Sequence, residues 1–172
     1  MAYVDTNVIL ANYFPEDRVH SRASAFFELS RKRKIVSPVS VVELFAVVSR
    51  LKTELRAPKE ILEELPRRRV RALVEFLIKD CKLFLASVPA QAKIKFAGTV
   101  LSVPVEYESC IRLAHGLKLK TLDLIHLAYA DNLRKWGHGV DVFVTFDGDI
   151  LRSSTNIQER FGIEVREPSR DL

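Results

Sequence analysis

The chain opens on a short apolar run, AYV at residues 2–4, that leads straight into an acid, Asp5. A second run, VDVFVT at 140–145, is followed at once by Phe146 and Asp147. Continuous β-branched and aromatic content, rather than alternation, marks a strand covered on both faces. Helical patterns fill much of the space between the two runs. SRASAFFELSRKRK (21–34) reads as an amphipathic helix with a basic end, and IVS (35–37) as a short strand. Ser37 and Pro38 read as the cap and first position of a helix reaching about Leu51. YESCIRLAHGLKL predicts a helix ended by Gly116. Thr121 reads as the cap of LDLIHLAYADNLRKW, which ends at Gly137, and IEV (163–165) as a last strand. Strands alternating with helices predict a three-layer α/β/α domain around a central parallel sheet.

The segment from 53 to about 103 breaks that rhythm. Pro58 and Pro66 punctuate KEILEEL and RRRVRALVEFLIKDCKLFLAS, which read as two helices forming an arm. Residues 88–103 fit strand and helix equally. At 172 residues and 48% hydrophobic content, the chain is sized for one domain spanning 1–172 and can build a core. No stretch reaches the ~18 apolar residues of a membrane helix. MAYVDTNVIL lacks a basic leader, so a cytoplasmic protein without a signal peptide is expected. Cys81 and Cys110 form no CxxC, suggest no zinc site, and read as small buried hydrophobes in a reducing cytosol. A formal net charge of +5 favours polyanions such as nucleic acid.

Four acids sit among apolar neighbours. Asp5 ends AYV, Glu43 lies inside VSVVELFAVV, Asp123 inside LDLIHLAYA, and Asp147 follows VFVTF. A buried carboxylate is costly unless it is paired or holds a metal. Each has a bland explanation. Asp5 could cap the next helix, Asp123 could complement a helix dipole, and Asp147 could be a turn residue. Glu43, in mid-helix, is hardest to explain away, and no Lys or Arg lies in the same apolar segments. In an open parallel sheet, ligands bind beyond the carboxyl ends of the strands, where Asp5 and Asp147 fall and where helix starts such as that of Asp123 gather. A hard cation relieves the repulsion of converging carboxylates, and an oxygen-only set suits Mg²⁺ or Mn²⁺.

YVDTNVIL, SVVELFAVVSR, LKTLDLIHLAYA and VFVTFDGDI match the PIN-domain ribonucleases in order and spacing. The chain resembles VapC-type toxins of toxin–antitoxin pairs in particular, over about residues 2–52 and 104–166. The resemblance implies a PIN-like fold, an Mg²⁺- or Mn²⁺-dependent endoribonuclease, and inhibition by a small antitoxin protein. It assigns Asp5, Glu43, Asp123 and Asp147 as the metal-holding acids, with Thr6, Asn7, Ser40 and Thr145 as supporting polar residues. Asp149 reads as the cap of the stretch DILRSS, and Asp147 as the acid turned into the cleft. His126, three residues after Asp123, reads as an oriented or packed imidazole. Among the basic clusters 31–34, 67–71 and 118/120, Arg67, Arg68, Arg69 and Arg71 are the expected RNA contacts. A homodimer is expected from the resemblance and from the apolar helical surface. A PIN ribonuclease of RNA maturation, or a non-catalytic RNA-binding relative, is the alternative.

Other folds with an acid after the first strand fit less well. A haloacid-dehalogenase-like phosphatase needs DxD where this chain has Asp5-Thr6-Asn7. A phosphoacceptor receiver needs neighbouring acids at the first strand and a late lysine, where Phe146 and Asp147 follow VFVT instead. FDGDI is no EF-hand, because Leu151, Arg152 and Gln158 fall at ligand or turn positions.

Overall fold

The computed structural model describes residues 1–51 and 55–172, apart from the side chain of Arg67. Among these residues, five three-residue strands build the central sheet. They are β1 (Ala2–Val4), β2 (Lys34–Val36), β3 (Leu83–Leu85), β6 (Val142–Val144) and β7 (Glu164–Arg166). Every neighbouring pair is parallel, in the order β3-β2-β1-β6-β7. Tyr3 pairs with Ile35 on one side and Phe143 on the other, and Val4 pairs with Val144.

The period-2 pleat sends these side chains into two cores. Ala2, Val4, Val36, Leu83, Val142 and Val144 meet Val8, Phe26, Leu44, Val74 and Leu77. Those come from α1 (Thr6–Ala11), α2 (His20–Leu29), α3 (Pro38–Val48) and α5 (Pro66–Asp80). Tyr3, Ile35, Phe143 and Val165 meet Leu113, Leu127, Ile150 and Ile157 on the opposite face. Those come from α6 (Val105–Leu117), α7 (Thr121–Leu133), α8 (Gly148–Arg152) and α9 (Ser154–Phe161). The three-layer α/β/α arrangement is therefore as expected. No helix among the described residues is long and apolar enough to cross a membrane.

The arm expected over about 53–103 is helical only in part, and its first two residues lie outside the described ones. α4 (Lys59–Leu62) is a single turn, and α5 stops at Asp80 instead of running to 87. Lys82 then takes a left-handed conformation, φ 51°, which turns the chain into β3. The gain is a fifth parallel strand paired with β2, with Leu83 in the core. Residues 88–103, open in the sequence, hold most of an antiparallel hairpin, β4 (Gln91–Phe96) and β5 (Thr99–Pro104). Its two-residue turn, Ala97-Gly98, has positive φ at both positions, the arrangement that matches strand twist.

Smaller departures have local causes. The helix expected over 21–34 ends at Leu29, and Lys34 enters β2. Ser37 stands at the cap of α3, yet its hydroxyl bonds Tyr3 instead of the helix. Lys120, not Thr121, is the residue before α7. Gly116 lies inside α6, where a Cβ would come within 2.5 Å of the Arg160 guanidinium, and Lys118 closes the helix in left-handed geometry. α7 passes at Arg134 into a π-helical turn in which Gly137 has φ 86°.

Candidate metal centre at the carboxyl edge of the sheet

Asp5 follows β1 directly, and its backbone N–H extends the ladder to Val144. It stands before α1 but makes no side-chain cap. Its Oδ2 instead accepts from Thr145 Oγ1 at 2.6 Å and Asn7 Nδ2 at 2.9 Å. Asn7 Oδ1 in turn takes the Phe146 N–H, and Thr145 Oγ1 takes the Asp147 N–H. The turn after β6 is thus clamped onto the start of α1 by neutral groups. Asp5 is 7% exposed, and burial pushes its carboxyl up against the opposing pull of His126 and the Thr145 hydrogen bond.

Glu43 reaches the same place from α3. Its Oε2 accepts from Thr6 Oγ1 and from His126 Nε2, each at 2.6 Å. His126 Nδ1 lies 2.9 Å from the Tyr3 hydroxyl, which lies 2.6 Å from Ser37 Oγ. Burial opposes charge on both members of the pair. The hydrogen bond and mutual attraction win, so Glu43 is lowered and His126 is raised. A protonated imidazole donates from both nitrogens, which suits a carboxylate on one side and a phenol oxygen on the other. His126, expected as an oriented or packed imidazole, is buried and held between Glu43 and Tyr3, with ligand-type atoms of Asp5 and Glu43 close by. Tyr3 and Ser37, absent from the expected site, complete its support. The signal available was a histidine one turn from Asp123 inside LDLIHLAYA.

Asp123 lies in the first turn of α7, half-buried, and its Oδ2 is buried with no hydrogen-bond partner. Its carboxyl is pushed up first by burial and then by the charges of Asp147 and Asp5. Ser40 Oγ is the other buried side-chain oxygen without a partner among the described residues.

The turn after β6 departs from expectation in one respect. Asp147, not Asp149, caps α8, with Oδ1 accepting the N–H groups of Asp149 at 2.7 Å and Ile150 at 3.1 Å. The strand ends at Val144, so Asp147 falls one residue before the helix, where a cap belongs. Asp149 pairs with Arg152 and, at 3.6 Å, with Lys120.

Among the described residues, Asp5, Glu43 and His126 bring ligand-type atoms within 4.8 Å of one another. Asp123 and Asp147 stand outside that inner group. The acids share a pattern: Asp5 and Glu43 commit one oxygen to protein donors, Asp147 does the same with Oδ1, and Asp123 Oδ2 meets none. An oxygen-rich set with an orphaned buried carboxylate oxygen fits a divalent cation. Of the arginines at the start of α5, Arg69 bonds Glu64 O and Arg71 pairs with Glu75 at 2.9 Å. Arg67 lies outside the described side chains.

A family model described as PIN domain matches residues 2–154, which takes in all four acids. The chain belongs to the PIN-domain family. PIN domains are typically metal-dependent nucleases acting on RNA or DNA, and the acid cluster is a possible metal site of that kind. No curated protein matches this PIN chain.

Proposed function

We propose that this PIN protein is a metal-dependent endoribonuclease and acts as the toxin of a VapBC-type toxin–antitoxin pair, one domain over residues 1–172. The observation that carries the nuclease reading is Asp123 Oδ2, a buried carboxylate oxygen with no donor, next to the charges of Asp5 and Asp147. A degenerate, non-catalytic site has no reason to keep so costly a group.

Asp5, Glu43, Asp123 and Asp147 would hold Mg²⁺ or Mn²⁺, which supplies activated water and neutralises charge developing on a phosphodiester. The chain's own residues set the stage for that chemistry. Thr145 and Asn7 fix Asp5 through Oδ2. Thr6 and His126 fix Glu43 through Oε2 and keep it ionised. Asp147 is fixed by its cap through Oδ1, leaving Oδ2. Arg68, Arg69 and Arg71, in the first turns of α5, would meet RNA phosphates. Exposed Phe96, Leu101, Tyr107 and Ile111 on the hairpin and α6 supply apolar surface for a homodimer or an antitoxin.

The test is cleavage of single-stranded RNA by the purified protein with Mg²⁺ or Mn²⁺. Activity should stop with EDTA, and cleavage that persists after thorough chelation overturns the metal mechanism. A neighbouring reading frame for a small DNA-binding antitoxin supports the toxin role. Its absence favours RNA maturation.

A further inference from the structure

The amino edge of the sheet carries a second charged feature, far from the acids in the fold. A surface cleft of about 430 Å³ is lined by Ser30, Arg31, Lys32, Arg33, Lys34, Lys82, Leu83 and Phe84, with no acid among them. Its cations come from the turn before β2, the first residue of β2 itself, and the turn before β3. They therefore precede or begin the same strands whose carboxyl ends face the acid edge. Sheet height, about 10 Å for a three-residue strand, separates the two edges.

Not all of these cations are available. Lys32 pairs with Asp141, and Lys34 is buried, donating to Ser30 O at 3.2 Å. Arg31, Arg33 and Lys82 are exposed, and among the described residues none has a carboxylate within salt-bridge reach. Phe84 is 44% exposed, although it belongs to a strand. The Arg33 guanidinium lies 5.9 Å from its ring centroid, and the His138 ring 6.4 Å away. Lys82 occupies a left-handed position at a helix end, where glycine is favoured. A lysine held there keeps a charge that a glycine would forfeit.

Unpaired cations around an exposed aromatic ring are the chemistry of single-stranded nucleic-acid binding: phosphates meet the cations and a base stacks on the ring. We propose that Arg31, Arg33, Lys82 and Phe84 form a second binding site for single-stranded RNA, holding nucleotides beyond those at the acid edge. This rests on the reading that RNA is the substrate. The site gives the enzyme a preference for long, unpaired substrates without base-specific contacts.

The test measures binding of oligouridylates of increasing length to the Asp5→Asn chain, with and without Arg31→Gln, Arg33→Gln and Lys82→Gln together. The parent should gain affinity with length, and the triple variant should lose that gain. Its slope of log affinity against log salt should fall by about 2, because each single-strand phosphate that a cation neutralises adds about 0.7. Phe84→Ala should weaken long-RNA binding about tenfold and leave the salt slope alone. Lys82→Gly should weaken binding while raising the melting temperature, which a structural role for this lysine cannot do. Equal affinity and slope in parent and triple variant overturn the site, even if wild type cleaves RNA with metal. Corner-dependent binding in a wild type that cleaves nothing upholds the site and overturns the nuclease reading. Loss of polyglutamate binding in the triple variant, with RNA binding intact, assigns the corner to an acidic protein and overturns the proposal.

Discussion

The two edges of one sheet handle charge in opposite ways. At the amino edge Asp141 lies between the Met1 amino group, 2.9 Å away, and Lys32, so opposite charges meet in the open. The cations left over there face water, which screens them. At the carboxyl edge Asp5 is buried, Asp123 is half-buried with its Oδ2 shut off from solvent, and the groups that fix Asp5 are neutral: a threonine hydroxyl and an asparagine amide. The positive influence on these acids comes from His126, which bonds Glu43, and from Lys120 near Asp123. Like charges gathered in low dielectric destabilise the apo fold. The contrast teaches that one edge neutralises its charges in pairs while the other concentrates like charge, a possible metal site.

The sharpest break would come from Asp5→Asn. Cleavage should fall by more than about a hundredfold, the upper end of what losing a supporting hydrogen bond costs at a metal site. The apo variant should melt no lower than wild type. An inactive but unfolded variant would make Asp5 a structural residue. Metal should reverse the cost of the acid edge. Saturating Mn²⁺ should stabilise wild type by about 2.7 kcal/mol at a hundred times its Kd, and Asp123→Asn much less. Equal shifts in melting temperature for the two would remove Asp123 from the site.

Acidity offers a gentler probe. Asp5 and Asp123 have folded pKa values raised above 3.8, so the folded state binds protons more readily than the unfolded one. Their cost is absent at low pH and grows as pH rises through the folded values. His126 is raised above 6.5, so its contribution is complete below that pH and lost above it. Glu43, lowered from 4.5, works the other way, and its contribution is lost only in more acid solution. The apo protein should therefore melt at a lower temperature at about pH 8 than at about pH 5, and Mn²⁺ should flatten that trend. A melting temperature that rises across the interval contradicts the burial of these acids.

The smallest effect concerns the turn after β6. Asp147→Ala should cost ~1 kcal/mol of stability as a lost cap and lower cleavage as well, whereas Asp149→Ala should change neither strongly. Paired melting and cleavage measurements decide it. A silent Asp147→Ala would leave the fourth acid to be found elsewhere.

How legible this was depended on whether the deciding interaction was local. β1 and β6 announce themselves by apolar content, and the three layers follow. β3 was hidden because Leu73, Val74, Leu77 and Cys81, all buried, continue a helical spacing up to the strand. What ends that helix is a left-handed residue, and the residue there is Lys82, not glycine. The hairpin turn is Ala97-Gly98, a weaker signal than Asn-Gly. The four acids were readable as misplaced charge, but the ion pair joins Glu43 to His126 across 83 positions of sequence. The identity of the cap after β6 hinged on where a three-residue strand stops.

The central place of β1 has a consequence for synthesis. Asp5 is made 140 positions before Thr145, the residue that holds it. At a ribosome's pace that gap lasts of order ten seconds. Until β6 emerges, the first strand has a neighbour on one side only, and the acid has no hydroxyl to hold it. On the proposed ribonuclease reading, a nascent or prematurely stopped chain lacks the turn that fixes Asp5, and cleavage waits by topology alone until β6 has been made.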